Sequence, residues 1–261
     1  MTAPQRVVCL TEETVETLYL LGQEHRIAGV TGYAVRPKRV RQEKPRVGAF
    51  TSADIPKILA LNPDLVLTFS DLQADIAAEL IRAGVEVMAF NQRNVAGILR
   101  MIRTLGRLVD CAEKAEMLAQ GYETRIADLR SQASKTRPKV YFEEWDDPMI
   151  TSIGWGSDLS EIAGGTECFS HLKVEQAAKD RIVTSDQVIA AQPDVIVASW
   201  CGKKVRPEKI AARTGWDQIP AVAQGRIIEI KSPLILQPGP AALSDGLDAL
   251  IAALSPEKVP A

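Results

Sequence analysis

Three of the four tryptophans fall in short stretches dense with charge and glycine, and these carry the most chemistry in the chain. Trp145 lies within Glu143-Glu-Trp-Asp-Asp-Pro148, just past an expected strand. Trp200 lies within Ser199-Trp-Cys-Gly-Lys-Lys-Val-Arg206, also past a strand. Trp155 lies in the loop Ser152-Ile-Gly-Trp-Gly-Ser157. Indole rings at the mouths of strands offer a large, flat, partly apolar surface to a ligand. Trp216 reads as structural. Glu143, Glu144, Asp146 and Asp147 form the main acidic cluster, and Lys203 and Lys204 are the cations facing it in type. These acids can hold a hard cation, hydrogen-bond a polar ligand or pair with the lysines. Alternation along a strand sends Glu143 and Glu144 to opposite faces, so the four cannot all converge. Oxygen ligands alone do not make a tight transition-metal site, and no metal is expected.

A second charged stretch runs from Tyr33 to Arg46. Arg36, Lys38, Arg39, Arg41, Lys44 and Arg46 stand against Glu43, which makes either an anion-attracting patch or a solvated loop. The two histidines, His25 and His171, are too few for a three-histidine zinc site. His25 reads as a solvated turn residue, and His171 as a surface-loop residue or an axial ligand to a metal macrocycle. No nucleophile elbow, phosphate-binding loop, dinucleotide fingerprint or zinc-protease motif is present. The expected role is therefore binding rather than catalysis, with no catalytic residue and no covalent cofactor.

These residues must be positioned by the elements around them. Two segments 130 residues apart read almost alike: Ile58-Leu-Ala-Leu-Asn-Pro-Asp-Leu-Val-Leu67 and Val188-Ile-Ala-Ala-Gln-Pro-Asp-Val-Ile-Val197. Each is a helix end, a Pro-Asp break and a short apolar strand. Proline stops the helix because it lacks the backbone N–H and restricts the residue before it. Uninterrupted apolar strands suit a parallel sheet covered on both faces. Further strands are expected at 6–10, 26–30, 85–90, 139–143 and 226–230. Helices are expected from Thr11 to Gly22 and at 51–61, 75–83, 94–109, 158–163, 186–191 and 241–254. Residues 110–135 hold helical spacing without breakers until Thr136-Arg-Pro138, which gives a helix of roughly 35–40 Å. Pro256 and Pro260 mark a loose tail. The fold class is α/β, with two lobes of parallel sheet joined by one long helix: 1–109, the linking helix 110–136, and 137–261. Two lobes imply a cleft, where ligands commonly bind.

Bulk composition bounds the possibilities. The chain has 261 residues, 46% of them apolar, so it can build a substantial core. A net charge of −2 argues against nucleic acid as a partner. No apolar run approaches a membrane span. Cys9, Cys111, Cys168 and Cys201 lack metal-type spacing, and Cys9 reads as a small buried hydrophobe. No basic segment and apolar stretch precede the first strand, so the expected location is cytoplasmic; the alternative is a periplasmic or lipid-anchored protein whose signal has been removed.

The layout resembles the substrate-binding proteins of cobalamin and iron-siderophore ABC importers. The resemblance rests on Arg26-Ile-Ala-Gly-Val-Thr-Gly-Tyr33, Val47-Gly48 followed by Leu61-Asn-Pro-Asp-Leu-Val66, Leu159-Ser-Glu-Ile-Ala-Gly-Gly165, Gly215-Trp216, Ile219-Pro-Ala-Val222 and Gly225-Arg226. It implies two lobes, a long helix and a corrinoid or ferric-chelate ligand between the lobes. It also places Tyr33 on the cleft and gives Phe50 and Phe69 either ligand contact or core packing. The ligand-binding set is then Tyr33, Arg36, Phe50, Phe69, Glu144, Trp145, Trp155, Trp200, Lys203 and Lys204. In the family an acid near the start of the helix before each Pro-Asp motif docks on the permease. Asp186 matches one position, whereas Pro56 holds the other without a charge, which argues against docking. A monomer is expected. The alternative function is a cytoplasmic enzyme or regulatory protein acting on a different anionic ligand.

Overall fold

Asn62 and Gln192 occupy equivalent places in the two repeated segments, and both take left-handed backbone angles, with φ of 46° and 49°. In each case the turn is finished by the aspartate that follows the proline. Asp64 accepts the amides of Gln5 and Arg6 at 2.6 and 2.9 Å, and Asp194 accepts the amide of Lys139 at 2.7 Å. The Asp64 amide donates to the Arg6 carbonyl at 3.1 Å and the Asp194 amide to that of Lys139 at 2.9 Å. The same hydrogen bonds therefore join each Pro-Asp turn to the first strand of its own sheet.

The computed structural model describes residues 3–132 and 137–255. The expected breaks at Thr136, Pro256 and Pro260 lie outside the described residues. Two compact units divide between Gly121 and Tyr122, with Arg93–Val95 grouped with the second.

The first unit is built on strands β1 (Val7–Cys9), β2 (Ile27–Val30), β3 (Leu65–Phe69) and β4 (Val87–Phe90), all parallel in the order β2-β1-β3-β4. Helices α1 (Glu12–Leu20), α2 (Val40–Glu43), α3 (Ile55–Ala60) and α4 (Ala74–Arg82) connect them. Then come α5 (Val95–Leu108) and α6 (Ala112–Ser131). At about 1.5 Å per residue, α6 is about 30 Å long, shorter than the expected helix. Val8, Leu10, Val47, Ile58, Val66 and Leu80 pack as one core cluster. Helix α3 starts at Ile55 rather than near Thr51, because Asp54 caps it by accepting the Lys57 amide at 3.0 Å.

In the second unit, β5 (Lys139–Asp146), β8 (Val195–Ala198) and β9 (Ile227–Glu229) run parallel. Two short strands were not evident from sequence: β6 (Met149–Thr151), antiparallel to β5, and β7 (Thr166–Glu167), parallel to it. Helices α7 (Gly154–Ile162), α8 (Ser185–Ala191), α9 (Pro207–Ala211), α10 (Pro220–Ala223), α11 (Ser232–Ile235) and α12 (Leu247–Leu254) surround the sheet. The core is aromatic. Tyr141 meets Phe169 and Trp216 edge-on, with centroids 5.7 and 6.2 Å apart.

Three expected placements change. Strand β5 continues to Asp146, so Trp145 stands within a strand, opposite Ile150, because the β6 hairpin extends the pairing. Helix α7 begins at Gly154 instead of Asp158, so Trp155 is in its first turn rather than in a loop. Phe69 closes β3 and is buried there rather than sitting in a loop.

Candidate functional site

In parallel sheets ligands gather beyond the carboxyl ends of the strands. In the second unit those ends are formed by the last residues of β5, the loop after β8 and the loop after β9. The loop after β8 turns at Gly202, whose φ of 67° suits glycine. That turn brings Lys203 back over the indoles of Trp200 and Trp145, with Nζ 5.0 and 5.1 Å from the two ring centroids. Asp146 holds the same ammonium group, both carboxylate oxygens lying 2.7 Å from Nζ. Lys203 is thus fixed by one carboxylate and two aromatic faces. The Trp145 indole N–H donates to the Asp147 carbonyl at 3.0 Å, which fixes that ring too.

Trp200 is buried, and its orientation comes from below. Its indole N–H donates to Glu143 Oε1 at 3.2 Å. Glu143 has no exposed surface and is held by Arg213, with Nη2 to Oε1 at 3.0 Å, and by the Tyr141 hydroxyl at 3.2 Å. Arg213 in turn stacks 4.5 Å from the centroid of Trp216. Glu144 takes different partners: buried Arg181, 2.6 Å from Oε2, and the Ile153 amide at 3.0 Å. Separate partners for adjacent glutamates follow from strand alternation.

A cavity of about 250 Å³ opens beside this assembly. It is lined by Trp200, Lys203 and Lys204 from the loop after β8 and by Glu229, Lys231 and Ser232 at the end of β9. Burial raises the Glu229 carboxyl, but Lys231, the Val205 amide and Lys204 more than offset it, so its pKa is lowered.

The second unit therefore brings Trp145, Trp200, Lys203 and Lys204 together. Trp155 is elsewhere: it is buried and its indole N–H donates to the Ile235 carbonyl at 2.9 Å. Asp186 is exposed as the second residue of α8, and Pro56 is exposed as the second residue of α3. In the first unit Tyr33 is 47% exposed, Phe50 is half-buried and Arg36 Nε lies 2.8 Å from Glu16 Oε1.

The first unit also holds acids that sequence reading passed over. Glu12 and Glu13 open α1 directly beyond the carboxyl end of β1, and both are buried. Glu12 Oε1 accepts the Val35 amide at 3.0 Å, and Glu13 Oε1 accepts the Thr11 hydroxyl at 2.7 Å. Both Oε2 atoms are buried without a hydrogen-bond partner among the described residues. Burial pushes the Glu12 carboxyl up to about 8, helped by Glu16 and Glu13, and pushes Glu13 up to about 7. Acids in a first helical turn read as ordinary dipole partners, which hid them. Lys231 and Glu229 could have been found by treating the end of β9 as the end of β8 was treated. Arg181 and Arg213 lie 37 and 70 residues from their glutamates, so no local pattern announces them. Among the described residues no group of three or more histidines, cysteines or carboxylates has metal-binding geometry.

The chain is similar to several known proteins. An uncharacterized ABC transporter substrate-binding lipoprotein of Bacillus subtilis, YvrC, is 26% identical across 97% of this chain and 81% of its own length. The vitamin B12-binding protein of Yersinia pseudotuberculosis is 25% identical across 82% of this chain and 80% of its own. The periplasmic heme-binding protein RhuT from Roseiflexus sp. RS-1 shares the fold, with a TM-score of 0.81, 24% identity and coverage of 96% and 99%. These findings overturn the expected cytoplasmic location: YvrC is a lipoprotein and the family that matches is that of periplasmic binding proteins, which points outside the cytoplasm. The family of periplasmic binding proteins matches residues 7–234, and the chain belongs to that family.

Proposed function

We propose that the chain captures a flat, partly apolar small molecule outside the cytoplasm and hands it to the permease of an ABC importer. A corrinoid is the first candidate, and haem or a ferric siderophore the next. The observation that carries this reading is the Trp145–Lys203–Trp200 assembly at the carboxyl ends of β5 and β8, an aromatic and charged surface fixed by Asp146 and Glu143. The vitamin B12-binding relative supports the corrinoid, and the heme-binding fold neighbour supports ring ligands in general. Aromatic burial supplies most of the binding free energy, and the charged groups supply specificity. In the first unit Tyr33 is exposed and Phe50 half-buried, whereas Phe69 is buried at the end of β3 and serves packing. Trp155, buried and bonded to Ile235, acts by supporting α7. Glu144, clamped by Arg181, supports the β5–β6 hairpin.

The role is non-covalent binding without turnover, by a monomer. Asp186, exposed at the start of α8, is the charged permease contact of the second unit. Pro56 leaves the first unit without the matching charge, so docking is electrostatically one-sided. Native mass spectrometry and visible absorption of the protein purified from its own host test the reading. A bound mass with the absorption of a corrinoid, haem or ferric chelate is the expected result. A protein that carries no such mass and stays colourless after incubation with all three would refute it.

A further inference from the structure

The cavity beside Trp200 measures about 250 Å³. Whole drug-sized ligands occupy roughly 300–1,000 Å³, so this cavity takes a part of a ligand rather than a complete ring. Its walls divide by chemistry. Trp200, Ile230 and Pro233 are apolar, whereas Lys203, Lys204 and Lys231 bring three ammonium groups to one small space. Two of the three are already fixed: Lys203 by Asp146, and Lys231 by Glu229, each at 2.7 Å. Glu229 is itself anchored by the Val205 amide at 3.2 Å. Lys204 has no hydrogen bond or ion pair among the described residues.

Three ammonium groups therefore share two carboxylates. Like charges gathered in a recess repel one another unless an anion joins them. We propose that this cavity is the subsite for a single anionic arm of the ligand, a carboxylate or a phosphate. Lys204 receives the arm, Lys203 and Lys231 stand beside it, and the attached ring packs on the half-buried face of Trp145. This rests on the reading above that the ligand is a large ring or chelate, and it adds that the ligand is charged at the edge presented to the second unit.

The test uses two pairs of probes followed by tryptophan quenching at fixed ionic strength. Cyanocobalamin carries a phosphodiester that cobinamide lacks, and haem carries two carboxylates that its dimethyl ester lacks. For whichever ring binds, the member that bears the phosphodiester or the carboxylates should bind at least about tenfold more tightly than its partner. Lys204→Gln should close that gap to within about twofold. A gap that is absent in the wild type, or that survives Lys204→Gln, overturns the anionic subsite and leaves the ring reading standing. If none of the four rings binds, the ring reading fails, and inorganic pyrophosphate then judges the cavity. Thermal stabilisation of the wild type that is lost in Lys204→Gln and in Lys231→Gln supports an anion site. No stabilisation overturns it as well.

Discussion

The two units repeat one scaffold and fill it with opposite electrostatics. Both run a capped helix into a left-handed residue, a proline, an aspartate that ties the turn to the neighbouring strand, and a buried strand. Beyond the strand ends they part. In the second unit the adjacent glutamates of β5, Glu143 buried and Glu144 half-buried, are each paired with an arginine, Glu143 with Arg213 and Glu144 with Arg181. In the first unit Glu12 and Glu13 are buried with one carboxylate oxygen apiece left without a partner. A repeated backbone therefore fixes where a functional group can sit, while side chains from distant sequence decide whether it is ionised and what it holds.

The largest effect should come from breaking a pair in the second unit. Arg213→Ala strands the fully buried Glu143 charge, and urea unfolding should show a loss of about 3–5 kcal/mol. A loss under about 1 kcal/mol would mean that Glu143 is not held as described. The Arg213→Met, Glu143→Leu double variant should recover most of the loss, because apolar replacement of a buried pair is often neutral.

Next comes the reverse experiment in the first unit. The Glu12 carboxyl is raised to about 8 in the folded protein. Between its unfolded value near 4.5 and about 8, the folded state binds more protons than the unfolded chain, so stability falls as pH rises across that window. Glu12→Gln removes this slope and should gain about 4 kcal/mol at pH 8 while changing little at pH 4. Parallel stability–pH curves for variant and wild type would show that Glu12 ionises normally.

The repeat itself yields a smaller test. Asp64 accepts two backbone amides and Asp194 one, so Asp64→Ala should cost about 2 kcal/mol and Asp194→Ala about 1 kcal/mol. Equal costs would mean that the second amide bond of Asp64 adds nothing to the stability of its turn. The helix caps should match Asp194: Thr184→Ala and Asp54→Ala should each cost about 1 kcal/mol in thermal unfolding.

The scaffold was legible in the sequence because its signals are local. Pro63 and Pro193 mark helix ends, and the apolar runs after them, Leu65–Leu67 and Val195–Val197, read as buried strands. The site was legible in part. Trp145, Trp200, Lys203 and Lys204 could be named from charge and indole density beyond strands, and they lie together in the structure. Trp155 misled, because Gly154 and Gly156 on either side of it read as loop, whereas tertiary packing starts α7 at Gly154. A glycine-flanked helix start has no propensity signal of its own. The hairpin partner β6 was too short to show a period. Arg213, Arg181 and the buried state of Glu12 and Glu13 depend on contacts or burial set by tertiary structure, so spacing could not reveal them.

Tryptophan fluorescence titration with cyanocobalamin, haem and a ferric siderophore, comparing the wild type with Trp145→Ala, asks whether the Trp145–Lys203–Trp200 assembly holds the ligand. Trp145 is the half-buried ring of the Trp145–Lys203–Trp200 assembly, so its removal alters the proposed surface without emptying the core. Saturable quenching by at least one of the three is expected, with a Kd of about 1 μM or tighter that weakens at least about tenfold in the variant. Flat titrations with all three, or equal affinity in wild type and variant, would overturn the proposed ligand surface.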